Sequence, residues 1–336
     1  MKVVWVARKA DLQPGSEGES SAVASVRYRA IIPARELSSR GHQAQVIGLD
    51  RKCFDSVRDQ ISAADRVVFL KNYFDPECAE QLLQEMRARG VKTLFDLSDD
   101  RLQEEYGSHL QHMIERVDAI VAASPTLQEI VMRHARKDSV VVGDPFEGPM
   151  GEPRWSPQGP RLKALWFGHP TNLESLYEAL PSLLQAGKSK PIDLRILTER
   201  VDGIERACKE LNSRHRHALS MRFAEWSIAE TWNSLAATDF VIIPSRPDDR
   251  RLLAKSPNRI IESLWAGRFV VAHPIPSYME FGQWAWIGED LAEGIVWMAK
   301  HGSLLAARVR AAQEYIAATY SPQRIASEWE RAFEKA

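Results

Sequence analysis

Short apolar runs rich in Val, Ile and Phe recur along the chain, separated by longer amphipathic stretches. In the first half the runs fall at 3–7, 45–48, 66–70, 93–97, 119–122 and 140–142, with helical patterns between them such as 24–40 and 77–89. A strand that alternates polar and apolar residues can leave one face in water. These runs are apolar at nearly every position, so both faces must be covered. Strands covered on both faces and separated by helices predict βαβ units around a parallel sheet, and right-handed crossovers make the domain doubly wound.

The rhythm breaks at 148–161, where seven of fourteen residues are Gly or Pro, which predicts a flexible linker and hinge. It resumes with strands expected at 162–167, 193–197, 221–223, 240–243 and 269–272, and helices at 172–185, 205–212 and 257–266. A last helix starts at Ser321 and Pro322, a capping residue followed by the residue best suited to the first turn, and carries Ile325, Trp329 and Phe333 on one stripe. The expected architecture is α/β, with domains over 1–150 and 161–320 and a closing helix over 321–336. Strand carboxyl ends are where open α/β sheets bind ligands, so two such domains predict a composite site in a cleft that closes on its ligand.

Composition narrows the class. The 336 residues are 44% hydrophobic and 26% charged, as in ordinary soluble proteins, and the formal net charge of −1 argues against a nucleic-acid binder acting through bulk electrostatics. Cys53, Cys78 and Cys208 are scattered without metal-ligand spacing, which predicts reduced thiols, a cytoplasmic protein and no bound metal. The apolar start is too short for a signal peptide, and no stretch approaches the ~20 apolar residues of a membrane span. Peripheral docking on a membrane stays compatible with this pattern, and oligomeric state is not encoded in it.

The segment 250–267 is the richest in chemistry. Ser256 and Pro257 read as cap and first turn of a helix, and Gly267 sits where a left-handed C-terminal cap belongs. A helix N-terminus offers unpaired backbone N–H groups to a pyrophosphate, Lys255 adds a full charge, and Asn258 and Glu262 lie one turn apart on one side. A carboxylate at Glu262 can accept hydrogen bonds from ribose hydroxyls.

This segment resembles the donor-site helix of glycosyltransferases with two Rossmann-like domains facing across a cleft, the GT-B fold, and especially the large family numbered four. The matching residues are Glu262, Gly267, the strand Phe269-Val270-Val271-Ala272 and the loop Pro274-Ile275-Pro276. Ser25-Val26-Arg27-Tyr28-Arg29 with Pro33, Leu37 and Arg40-Gly41-His42 resembles the family's first helix. The polar loop with Gly15 and Gly18 resembles its mobile N-terminal loop, and 118–124 resembles the strand that closes its N-terminal domain. The resemblance implies transfer of a sugar from a nucleotide-sugar donor to a hydroxyl acceptor, without a metal cofactor. It also implies a ribose contact at Glu262, acceptor contacts at Arg27 and Arg29, and a C-terminal helix that returns to the N-terminal domain. Two positions depart from the family. Ala254 stands where a second Glu contacts the sugar, and no Arg-Lys dyad follows Gly168-His169. Arg246, Arg250, Arg251 and Lys255 are cations available to meet the leaving diphosphate, Lys255 first.

For acid–base work, the run 93–97 ends in Ser98-Asp99-Asp100, at a strand carboxyl end. Asp99 is the first candidate to take a proton from an acceptor hydroxyl, with Asp100 and His169 behind it, and the other reading of the pair is a cap for a helix starting near Arg101. Two further functions use the same shell: a nucleotide-sugar 2-epimerase, or a binding subunit of this shape without activity.

Overall fold

The computed structural model describes residues 1–15, 18–70, 75–155, 157, 159–246 and 249–336. The chain divides into two compact units. The first comprises Met1–Pro145, Ala254–Ser256 and Thr319–Ala336; the second comprises Phe146–Leu253 and Pro257–Ala318.

In the first unit the strands are β1 (Lys2–Arg8), a short antiparallel hairpin of β2 (Gln13–Gly15) and β3 (Gly18–Ser20), then β4 (Gln43–Leu49), β5 (Arg66–Leu70), β6 (Lys92–Leu97), β7 (Ala119–Ala122) and β8 (Val140–Val141). All except the hairpin form one parallel sheet in the order β4-β1-β5-β6-β7-β8. Alternation within β1 divides the core: Val4 and Val6 join Val67, Phe69, Phe95 and Ile120 on one face, while Val3, Trp5 and Ala7 join Val68, Leu94 and Val121 on the other. Both faces are apolar because helices cover both, which is the continuous pattern the sequence shows.

The C-terminal helix Pro322–Lys335 covers the face that holds Trp5. Ser321 caps it, its side chain accepting the Arg324 N–H at 3.2 Å. Trp329 is fully buried and meets Trp5 edge-on at 5.5 Å, with Phe333 completing the cluster 5.7 Å from Trp329.

The expected first helix over 24–40 is interrupted by a π-helical turn, Arg27–Ile31. One extra residue per turn rotates the side chains that follow, and Arg29 becomes one of the largest fully buried groups. Its Nη2 donates to Asp96 at 2.6 Å and its Nη1 to Asp144 at 2.9 Å, to the Val142 carbonyl at 2.6 Å and to the Gly143 carbonyl at 3.0 Å. Burial alone would lower the guanidinium pKa, but the two carboxylates outweigh it and raise it. This knot ties the first helix to the end of β6 and to the segment after β8.

The second unit contains β9 (Leu162–Phe167), β10 (Ile192–Thr198), β11 (Leu219–Glu225), β12 (Phe240–Ile243), β13 (Phe269–Ala272) and β14 (Trp286–Ile287). They pair in parallel in the order β11-β10-β9-β12-β13-β14. Counted within the unit that order is 3-2-1-4-5-6, so strand order reverses between β9 and β12. That reversal is the topological switch point, where open α/β sheets seat their ligands.

Within the expected linker 148–161, residues 148–155 and the Phe146 before them are packed against the second unit rather than free. Phe146 stacks on Trp265 at 4.0 Å, the Gly151 N–H donates to the Trp265 carbonyl at 2.9 Å, and Arg154 donates to the Ala236 carbonyl at 2.7 Å. A side chain at Gly148 would strike Trp232 at 2.2 Å, and one at Gly151 would strike the Ala266 carbonyl at 2.2 Å. The glycines permit close docking, the opposite of mobility; Ser156 and Gln158 of the same stretch lie outside the described residues. Among the described residues no helix is long and apolar enough to cross a membrane.

Removing the Trp329 side chain leaves a cavity against Trp5 that the sheet cannot collapse to fill. Trp329→Ala should destabilise the first unit by about 3–5 kcal/mol. Chemical denaturation checks this, and a loss below about 1 kcal/mol would mean that the helix is only loosely docked.

Candidate functional site

The helix Asn258–Trp265 follows β12 and precedes β13. It starts one residue later than its sequence suggests. Pro257 occupies the N-cap position without a side-chain cap, and Ser256 groups with the first unit, so Ser256 does not cap it. At the other end the Gly267 N–H donates to the Leu264 carbonyl and the Arg268 N–H to the Ser263 carbonyl, both at 2.9 Å. This is a Schellman closure, and it holds Gly267 at φ 79 as expected for a left-handed cap. Gly267 is doubly constrained, because a Cβ there would also lie 2.4 Å from the Glu152 carbonyl. Arg268, just beyond, donates to the Leu235, Ala236, Glu152 and Gly267 carbonyls. Burial first, and Arg154 next, pull its pKa down to about 10.

Apolar residues of the helix face the core, and two charged residues go in with them. Glu262 is only 8% exposed, and Arg259 in the first turn is half-buried. Asn258 and Glu262 stand one turn apart on this helix, as their spacing requires.

Gly168 and His169 follow β9, on the other side of the switch point. A Cβ built at Gly168 would lie 3.6 Å from Arg259 Nη1 and 3.6 Å from Asn172 Nδ2, so this glycine borders the first turn of the helix. His169 Nδ1 accepts the Thr171 N–H at 3.3 Å and lies 2.9 Å from Thr171 Oγ1, capping the short turn Pro170–Asn172. With Nδ1 occupied as acceptor, the neutral ring carries its proton on Nε2. That tautomer suits donation to an anion.

The remaining cations are arranged differently from one another. Arg246, after β12, pairs with Glu174 at 2.5 Å and approaches Glu178 at 3.8 Å, so two carboxylates compete for it. Arg250 is exposed on the one-turn helix Arg250–Leu253, while Arg251 pairs with Asp249 at 2.9 Å and, through that hydrogen bond, lowers the Asp249 pKa. Lys255 is half-buried on the segment that groups with the first unit. Beside it Ala254 is fully buried in that unit's apolar cluster, and its carbonyl accepts from Ser124 Oγ at 2.9 Å. The position where the resembled family carries a sugar-binding Glu is thus core.

In the first unit, Arg27 and Arg29 are not available to an acceptor as expected. Arg29 is the centre of the buried knot, and Arg27 is buried with Nη1 on the Ser21 and Ala22 carbonyls at 3.1 and 2.9 Å. At the end of β6, Asp99 is half-buried, while Asp100 is buried and accepts the Leu102 N–H at 3.4 Å. The expected helix near Arg101 begins only at Gly107; turns fill the interval, where the Gly107 backbone passes so close to the Leu102 carbonyl that a Cβ would overlap it. Asp100 therefore braces a turn. Among the described residues no group of three or more His, Cys, Asp or Glu is placed to hold a metal ion.

No protein-family pattern matches the sequence, and no curated protein sequence matches it. Solved structures do. A glycosyltransferase from Rickettsia africae ESF-5 superposes with a TM-score of 0.70 at 12% identity, over 99% of this chain and 98% of that one. The catalytic domain of Arabidopsis thaliana starch synthase IV, solved with ADP and acarbose, superposes at 0.67 and 9% identity, over 100% and 99%. TarM superposes at 0.65 and 12% identity, over 84% of this chain. This chain spans 57% of the TarM chain and 60% of the matched chain of the GtfA/B complex. At such identities the likeness is one of fold: the chain has the α/β fold of GT-B glycosyltransferase structures, with two six-stranded parallel sheets.

The turn at Gly267 sets the exit of the candidate donor helix, so it offers a test by substitution. Gly267→Ala adds a left-handed penalty of about 1–2 kcal/mol to a backbone overlap, and should destabilise the second unit by more than about 2 kcal/mol in thermal or chemical unfolding. Near-wild-type stability would show that the approach of 151–152 to this turn is loose.

Proposed function

We propose that the chain is a glycosyltransferase that takes a sugar from a nucleoside-diphosphate donor held by the second unit, in the manner of the family numbered four. The observation that carries the reading is Glu262, a carboxylate buried in a helix whose first turn borders Gly168 at the switch point of a 3-2-1-4-5-6 sheet. This carboxylate sits one turn from a helix N-terminus, at a spacing that suits ribose beyond a pyrophosphate. The fold shared with starch synthase IV, which was solved with ADP, and with TarM, one structure of which contains UDP, supports the same reading.

In the reaction, the acceptor oxygen bonds to the sugar's anomeric carbon as the bond from that carbon to the diphosphate breaks. The electron pair leaves with the diphosphate, and the hydroxyl proton passes to a carboxylate. We assign that carboxylate to Asp99 of the first unit, half-buried just past the carboxyl end of β6. Leaving-group charge is met by side-chain cations and the His169 donor in this reading, without a protein-bound metal. The free thiols Cys53, Cys78 and Cys208 suit a reducing compartment such as the cytoplasm.

Calorimetry with uridine, guanosine, cytidine and adenosine diphosphates and with inorganic pyrophosphate tests the assignment. At least one nucleotide should bind. Glu262→Ala should weaken it by about 1.5–3 kcal/mol, the worth of hydrogen bonds to a charged group, and leave pyrophosphate nearly unchanged. With that donor, Asp99→Asn should slow transfer about a hundredfold at unchanged nucleotide affinity. Equal losses for nucleotide and pyrophosphate would remove the ribose role, and no binding at all would remove the donor reading.

A further inference from the structure

Arginine guanidinium groups are never neutral in a folded protein, so a buried one must find acceptors or coordinate a ligand. The fully buried Arg29 meets this demand with two carboxylates and two carbonyls. Arg268 meets it with four carbonyls. Arg259 does not: its Nη1 is buried, and among the described residues it has no hydrogen-bond partner.

The surroundings of that orphaned donor are specific. It lies at the first turn of the helix Asn258–Trp265, beside the missing side chain of Gly168, with the Asn172 amide at the same 3.6 Å from the position a Cβ would take. The Gly168 N–H is already committed to the Leu197 carbonyl at 3.2 Å. A second orphan belongs to the strand on the other side of the switch point. Ser245, two residues past β12, is 3% exposed, and its Oγ has no partner among the described residues. A buried guanidinium N–H beside Gly168, at a helix start, and an unengaged hydroxyl just past the adjacent strand β12 suit an anion.

We propose that Arg259 is the cation that holds the donor's diphosphate, in place of the Arg-Lys dyad missing after Gly168-His169, and that Gly168 is glycine to leave room for that phosphate. The inference rests on the donor reading above and deepens it. The planar fork of arginine presents two parallel N–H groups to two phosphate oxygens, and a group fixed in place by burial needs no reorganisation when the C–O bond breaks and charge moves onto the diphosphate. Arg246, with Glu174 and Glu178 against it, is less suited to that role. Because Arg259 Nη1 has no partner among the described residues, the empty protein carries its desolvation as a cost, as ligand sites commonly do.

Two readouts on the full chain test this together. With the nucleoside diphosphate that binds best, Arg259→Met should weaken binding tenfold to a hundredfold and weaken inorganic pyrophosphate by a similar factor. The melting temperature of the unliganded variant should stay level or rise. Arg259→Lys, which keeps the charge and loses the fork, should fall between, about three- to tenfold weaker than wild type, and it carries the test if the Met variant does not fold. Wild-type affinity for the diphosphate in either folded variant overturns the assignment while leaving the donor reading intact. Weakened binding together with a melting temperature lowered by several degrees also overturns it, because Arg259 would then be a structural brace. Failure of the wild-type protein to bind any of the four nucleotides overturns the donor reading itself.

Discussion

In both units, strands covered on their two faces leave few places where polar chemistry can stand. The loops at the strand ends are where backbone emerges beside more than one strand. The sequence obeys that constraint closely. Trp5, Phe69, Phe95, Trp166 and Phe240 fill strand interiors, while Asp99 and Asp100 follow β6, Gly168 and His169 follow β9, and Ser245 and Arg246 follow β12. These candidates sit at a carboxyl edge, where polar side chains escape the apolar faces, and Asn258, Arg259 and Glu262 join them from a helix that packs beside one.

Three arginines show how the same side chain divides between architecture and chemistry. Arg29 is saturated by Asp96 and Asp144, so its charge is spent on fixing the end of β6. Breaking such a pair from one side strands the other charge, and the knot is accordingly a point of rigidity. Arg268 is saturated by carbonyls around the Gly267 turn and locks the exit of the candidate donor helix. Arg259 alone of the three keeps a buried donor in reserve. Burial does not separate these roles; the count of acceptors does.

The elements that were legible in the sequence are those whose signal is local. The run 66–70, apolar on both faces, is β5 residue for residue, and 162–167 is likewise β9. The Ser321-Pro322 start and the stripe of Ile325, Trp329 and Phe333 needed no tertiary information either. What misled was local signal with a non-local purpose. Gly148 and Gly151 look like hinge residues, yet they are small because Trp232 and Ala266 lie against them. Arg29 reads by resemblance as an acceptor contact, and one π turn puts it inside. Ser256 looks like a cap, but its segment belongs by its contacts to the first unit. Arg259 gave no signal at all, because what distinguishes it is Gly168, far away in sequence and brought close by the sheet order.

Hydrogen–deuterium exchange, read by mass spectrometry with and without a saturating nucleoside diphosphate, tests most directly where the donor binds. Ligand contact should slow amide exchange at 168–172, just past β9, and at 258–262, the start of the helix that borders Gly168, with the largest change in the first turn of the Asn258–Trp265 helix. Protection absent from both stretches, with nucleotide bound and exchange slowed elsewhere in the chain, would contradict the account.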